Sequence, residues 1–193
     1  PARGLLTAER TLLNFVGILS GTATATRRYV DLISGTGARL LDTRKTIPGL
    51  RLGQKYAVYC GGGSNHRFGL FDAFLIKENH IPACGSITAA IRAAREQGPG
   101  KKIIIEVENL DELREAAALA PDQIMLDNFS VEMLKEAAGM ALSPALEVSG
   151  NLTVKSARTL PAGRHWFMSS GALTKHVQAA DLSLRLSSED AEG

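Results

Sequence analysis

Six apolar runs in this 193-residue chain end in residues that can do chemistry: Asp42, Lys77 with Glu78, Glu106 with Glu108, Asp127, Glu147 with Ser149, and Ser169 with Ser170. In parallel α/β folds, ligands bind at the carboxyl ends of strands, where loops converge and helix N-termini point inward. A charge at one strand end needs no ligand. The same placement on six runs favours a shared site.

Lys77 closes an apolar run and, as a partly buried cation, asks for an anion. Glu108 and Asp127 are hard oxygen ligands of the kind that hold Mg²⁺ mainly through water and substrate phosphates. A Lys77 ion pair with one of these acids is the structural alternative. Thr43, Arg44, Lys45 and Thr46 precede a Pro48-Gly49 turn, so Arg44 and Lys45 can chelate carboxylate or phosphate, or form a solvated loop. Gly61-Gly62-Gly63 permits close backbone approach, and His66 and Arg67 then add donors; the glycines match neither GxGxxG nor the P-loop pattern. Ser149-Gly150-Asn151 and Ser169-Ser170-Gly171 can expose backbone N–H groups to phosphate, and late-strand loops are its usual position in β/α barrels. His176 can donate to the same phosphate. Together these residues suit a polyanionic substrate handled with Mg²⁺.

The elements that position them follow from periodicity. Residues 7–33 carry Leu12, Phe15, Val16, Leu19 and Ala23 at helical spacing, one or two helices. Short runs then alternate with helical patterns: strands over 39–42, 73–77, 103–107, 123–127, 145–149 and 166–169, with helices near 54–60, 87–97, 110–120, 131–141 and 154–160. Asn109 with Glu112, Ser86 and Ser130 are N-cap candidates. Runs such as Ile103-Ile104-Ile105 are apolar throughout, as expected for parallel strands covered on both sides. The fold class is α/β with a parallel sheet, open or barrelled, because 193 residues fall short of the roughly 250 of a full eightfold barrel.

Composition narrows the classes. With 45% hydrophobic and 22% charged residues, the chain can bury one sizeable core. A net charge of +2 and 5% aromatics give no pull toward nucleic acid, and no apolar run approaches the roughly 18 residues of a membrane span. Cys60 and Cys84 match no zinc or redox motif, so two buried thiols in a reducing cytoplasm are expected.

Eight motifs in order carry a closer resemblance: Glu9-Arg10-Thr11 to Asn14-Phe15, Leu41 to Thr46 with Pro48-Gly49, Gly61 to Arg67, Leu75 to His80, Glu106-Val107-Glu108-Asn109, Met125 to Phe129, Glu147 to Asn151, and Gly171 to His176. The chain resembles the quinolinate phosphoribosyltransferases over residues 9 to about 186. The resemblance implies an open, incomplete β/α barrel of about six to seven parallel strands. It implies transfer of phosphoribose from 5-phosphoribosyl 1-pyrophosphate to quinolinate, with decarboxylation to nicotinate mononucleotide in NAD biosynthesis. It places Arg44, His66, Arg67 and Lys77 on the quinolinate carboxylates, with Arg10 reaching a partner subunit's site in a homodimer. Lys45 meets quinolinate or pyrophosphate. Glu108 and Asp127 take the ribose hydroxyls and Mg²⁺ and steady charge at the anomeric carbon, while Ser149, Gly150, Asn151, Ser170 and Gly171 cradle phosphate.

The expected organisation is a helical segment over 1–33, a barrel over 34–178, and a terminal strand with an acidic tail over 179–193. The family's N-terminal domain precedes the Glu-Arg motif, so it is expected to be missing, leaving the strand over 181–186 an unpaired edge. The aromatic run over 165–170 departs from the family's aliphatic one. Alternatives are a related molybdenum-transport-associated barrel or a catalytically silent phosphate-binding fragment.

Overall fold

Inward and outward positions alternate along each strand of the computed structural model, which describes residues 2–150 and 166–185. On the strand Lys102–Val107, Ile103, Ile105 and Val107 lie buried in the main core, whereas Lys102 and Ile104 line a cavity on the other face of the sheet. Burial on both faces explains why the run reads as continuously apolar.

Six strands form, all parallel: β1 (Arg39–Leu41), β2 (Ala73–Ile76), β3 (Lys102–Val107), β4 (Gln123–Asp127), β5 (Ala145–Ser149) and β6 (Trp166–Ser169). Their spatial order is β1-β6-β5-β4-β3-β2. The last strand returns beside the first, and Ser64 bridges to Leu41 on the free side of β1. A seam then remains between the Ser64 segment and β2. Arg67 spans it, donating Nη1 to the Ala73 carbonyl at 3.1 Å. The architecture is therefore an α/β barrel left open at one seam.

Around the sheet lie α1 (Ala2–Leu32), α2 (Arg51–Cys60), α3 (His80–Cys84), α4 (Ile87–Gln97), α5 (Leu110–Ala118), α6 (Val131–Gly139) and α7 (Ala172–Lys175). The expected caps form: Asn109 Oδ1 accepts from the Asp111 and Glu112 N–H groups, Ser86 Oγ from Ala89 and Ser130 Oγ from Met133. Each contributes about 1 kcal/mol by pairing orphan donors. Trp166 and Met168 are fully buried, so the atypical aromatic run packs into the same core as its neighbours.

One expectation is sharpened and two change. The 7–33 pattern is one continuous helix, but Leu12, Phe15 and Val16 are exposed, and its buried face carries Gly17, Gly21, Thr22 and Thr26. Residues 181–185 form no strand. The segment before them runs over α1, where Ala180 N–H donates to the Gly17 carbonyl at 2.9 Å, and a side chain at Gly21 would collide with the Gln178 carbonyl. Cys60 and Cys84 are both exposed. On α2 the inward positions are Gln54, Lys55, Ala57 and Val58, which turns Cys60 outward with Tyr56 and Tyr59. The helix expected near 154–160, Asn151 and the tail 186–193 lie outside the described residues. Among the described residues, no helix is long and apolar enough to cross a membrane.

Candidate active site

The carboxyl ends of the strands surround a cavity of about 470 Å³. Its position follows from register: Ile76 pairs with Ile105, so one step further Lys77 meets Glu106. Lys77 Nζ lies 2.5 Å from Glu106 Oε2, with Lys77 41% exposed and Glu106 8%. Asp127 and Ser149 pair at the ends of β4 and β5 and also line the cavity. Leu75 and Met125 add apolar lining between these charges.

Cations close the opposite wall. Arg44, Lys45 and Thr43 line the cavity from the loop after β1, joined by Arg51 from α2. That loop is internally braced, with Lys45 N–H donating to Thr43 Oγ1 at 3.1 Å and Thr46 N–H to the Arg44 carbonyl at 2.9 Å. Burial first, and then the charge of Arg44, pull the Arg67 guanidinium below its ordinary value. Two guanidinium groups sharing one wall are relieved by an anion between them.

His66 is held from several directions. Its Nδ1 accepts the Arg67 N–H at 2.8 Å, which leaves the ring proton on Nε2. Nε2 lies 3.3 Å from Glu147 Oε2, without the alignment of a hydrogen bond. Glu147 is fully buried and accepts from Gln123 Nε2, while Gln123 Oε1 accepts from Lys102 Nζ at 2.6 Å. His66 Nε2, Glu147 Oε1 and Ser169 Oγ are buried without a hydrogen-bond partner, so the cavity wall carries unused polar capacity. Beneath this, Asp42 Oδ1 accepts the His66 N–H at 2.8 Å and Lys55 Nζ at 2.5 Å, both side chains being fully buried.

The phosphate-sized turns flank Ser149 and Ser169. Ser170 N–H donates to the Leu41 carbonyl at 3.2 Å, and Gly171 packs against Thr43 and Lys45. Gly150 has φ +107° and a side chain there would strike Asn128. Gly150→Ala is expected to cost about 1–3 kcal/mol through this strain and to weaken inorganic phosphate binding. Thermal unfolding and calorimetry check it; a variant with wild-type melting and phosphate affinity would remove Gly150 from the turn's design.

Among the sequence candidates, Lys77, Asp127, Thr43, Arg44, Lys45, His66, Arg67, Ser149 and Ser169 share the cavity wall. Gly150, Ser170 and Gly171 adjoin it in sequence. Glu108 does not line it: the residue is exposed one position past β3, its N–H donating to Glu112 Oε2 at 2.9 Å. His176 caps the far end of α7 and is exposed, and Arg10 is exposed on α1. Glu106 and Glu147, strand-end residues to which the sequence assigned no role, also line the cavity, as does Arg51. Counting in twos from Leu75 to Lys77 and pairing across the ladder would have selected Glu106.

Glu106 and Asp127 together fit a divalent cation. The Glu106 carboxyl is held above the ordinary glutamate value by burial first and then by the charges of Asp127 and Glu78, against the lowering effect of Lys77. A cation relieves that repulsion. Among the described residues, no group of three or more His, Cys, Asp or Glu is placed to hold a metal alone. Mg²⁺ would need further oxygens from water and a phosphate-bearing ligand, which is its usual mode.

A family model described as quinolinate phosphoribosyl transferase, C-terminal domain, matches residues 22–185. Nicotinate-nucleotide pyrophosphorylase (carboxylating) of Mycobacterium leprae is 46% identical over 189 residues, which cover 96% of this chain and 66% of that relative. The probable enzyme of the same name from Bacillus subtilis is 43% identical, covering 100% of this chain and 68% of its own length. The solved structure of the nicotinate-nucleotide pyrophosphorylase from Francisella tularensis matches with a TM-score of 0.87 at 55% identity, over 94% of this chain and 65% of that one. The chain thus spans about two thirds of the length of these relatives. With sequence, barrel and cavity in agreement, it belongs to the quinolinate phosphoribosyltransferase family and carries the family's C-terminal domain.

Proposed function

We propose that this chain transfers phosphoribose from 5-phosphoribosyl 1-pyrophosphate to the quinolinate nitrogen, with loss of the 2-carboxylate, as part of NAD biosynthesis. The observation that carries this reading is the cavity itself: Arg44, Lys45, Arg51, Arg67 and Lys77 surround Leu75 and Met125, a lining suited to a flat ring bearing two carboxylates. The names of the relatives favour this reaction over the molybdenum-transport-associated alternative.

The quinolinate nitrogen attacks the anomeric carbon as its bond to pyrophosphate oxygen breaks. The bond from ring carbon C2 to its carboxylate then breaks to release CO₂, and the electron pair left on C2 takes up a proton from water. Arg44, His66, Arg67 and Lys77 hold the carboxylates and align the nitrogen. Glu106 and Asp127 stabilise positive charge at the anomeric carbon, Glu106 taking the role expected of Glu108. Ser149, Gly150, Ser169, Ser170 and Gly171 would cradle the phosphate, a role the family resemblance also gives Asn151. Mg²⁺, held by Asp127 and Glu106, would neutralise pyrophosphate charge. The exposed apolar row Leu12, Phe15 and Val16 on α1 supports a homodimer, in which Arg10, exposed on the same helix, serves the partner's site. Two free thiols support a reducing cytoplasm.

Titration calorimetry with quinolinate and nicotinate tests the reading. Quinolinate should bind at least about tenfold more tightly, because its second carboxylate gains charge-assisted hydrogen bonds. Equal affinities would contradict it.

The raised Glu106 carboxyl makes a further prediction. Between the ordinary glutamate value and the raised one, the folded protein keeps a proton that the unfolded chain has released. The associated stability is complete below the unfolded value and is lost as pH rises through the folded one. Activity moves the opposite way, since the carboxylate is the working form. The acid limb of kcat/KM should lie above the ordinary glutamate range and vanish in Glu106→Gln. An identical limb in wild type and variant would take Glu106 out of the reaction.

A further inference from the structure

α2 turns a polar row toward the interior. Arg51, Gln54 and Lys55 stand at i, i+3 and i+4, with Val58 at i+7, so all four share one helix face. Gln54 and Lys55 are fully buried, at positions where apolar side chains would carry no desolvation cost.

The polar atoms of this row go to the loops of the cavity. Arg51 donates Nε to Thr46 Oγ1, Nη2 to the Arg44 carbonyl and Nη1 to the Phe68 carbonyl, each at 3.2 Å. Gln54 Oε1 accepts the Ile47 N–H at 2.8 Å, while its Nε2 donates to the Thr174 carbonyl at 2.9 Å. Thr174, itself fully buried, donates Oγ1 to the Lys45 carbonyl at 2.8 Å. Gln54 and Thr174 therefore join the Arg44-Lys45 loop to α7, although Thr174 stands 120 positions after Gln54 in the chain, and α7 directly follows the turn over 169–171.

We propose that Gln54 is a positioning residue that holds the cation loop and the serine-glycine turn in one fixed geometry, so that the carboxylate and phosphate halves of the site are ready together. This rests on the function proposed above. The amide suits this role because it presents an acceptor to one loop and a donor to the other. Methionine has neither, and glutamate loses the donor and faces the Thr174 carbonyl with charge.

A loosened site must be ordered by its first ligand, so the second then binds more tightly; a preordered site shows no such gain. Gln54→Met should bind quinolinate about tenfold more weakly than wild type, matching the loss of a buried hydrogen-bond pair, and recover most of that affinity once pyrophosphate is bound. The ratio of quinolinate Kd values without and with pyrophosphate should rise about tenfold over the wild-type ratio. Exchange of the Ile47 amide should speed up by a similar factor. Leu113→Ala, a core change on α5 away from the cavity, should lower the Tm yet leave that ratio and the Ile47 exchange at wild-type values. Gln54→Glu gives the same comparison if the Met variant does not fold. A wild-type ratio in the Gln54 variants, or unchanged Ile47 exchange, overturns the proposal. Wild-type protein that binds neither quinolinate nor pyrophosphate overturns the proposed function instead, and the Ile47 exchange still decides the role of Gln54.

Discussion

Lys77→Met is expected to lower kcat/KM by about 10²- to 10³-fold while the fold survives, the loss typical of removing one preorganised electrostatic partner. Lys77 is 41% exposed, so its removal leaves no large void. Its ammonium is the cation that meets Glu106 at the cavity rim, and it is paired only 2.5 Å away. Without it, the Glu106 carboxyl loses its lowering influence and rises further, since burial, Asp127 and Glu78 remain. The variant should therefore show both weaker quinolinate binding and an acid limb displaced to higher pH. Combining Lys77→Met with Glu106→Gln should cost little more than either change alone, because the two act as one unit. Steady-state kinetics across pH measure all of this. Losses that multiply would show that the ion pair is incidental, and a wild-type rate in Lys77→Met would remove the residue from the site.

Lys55→Met should destabilise the protein by about 3–5 kcal/mol, the usual effect of stripping one partner from a buried ion pair. Lys55 Nζ donates to Asp42 Oδ1 and to the His66 carbonyl at 2.9 Å, and sits 4.9 Å from the Phe68 ring centre. Asn65 Nδ2 and the His66 N–H complete the Asp42 carboxylate. Burial, the largest influence, holds Asp42 above the ordinary aspartate value and Lys55 below the ordinary lysine value, although each favours the other's charged form. The pair thus fixes the His66 backbone at the cost of desolvating two charges. In Lys55→Met the carboxyl rises further, so the folded state holds a proton that the unfolded chain has released. The deficit should therefore shrink as pH falls toward the unfolded value and widen as pH rises. Lys55→Met with Asp42→Asn removes both charges and should recover more than half of the loss. Urea unfolding at several pH values checks the pattern. A single variant within about 0.5 kcal/mol of wild type would contradict it.

The strand ends were legible because burial on both faces makes parallel strands read as apolar runs that stop at a polar residue. Each of the six runs became a strand, and Asn109, Ser86 and Ser130 cap the helices as their chemistry requires. Less legible was which of two acids points inward. Glu106 and Glu108 share a phase, and only the end of β3 at Val107 separates them: Glu106 stays on the ladder, whereas Glu108 leaves with the turn. The polar row of α2 was missed for a different reason. Arg51, Gln54 and Lys55 look like a solvated face, and only the loops folded over them make that face internal. The exposed cysteines reverse an expectation based on residue type, because helix phase decides burial on α2. The terminal leucines at 182, 184 and 186 alternate as a strand would, yet alternation forms none without a neighbouring ladder, and 181–185 have none.

The most direct measurement is product formation. The chain, alone and joined to the remaining third of a relative such as the Francisella protein, is supplied with quinolinate, 5-phosphoribosyl 1-pyrophosphate and Mg²⁺, with Lys77→Met as the blank. The expected result is nicotinate mononucleotide, CO₂ and pyrophosphate in equal amounts from the wild-type cavity and almost none from the blank. Absence of the nucleotide from both forms, or equal yields from wild type and Lys77→Met, would contradict it.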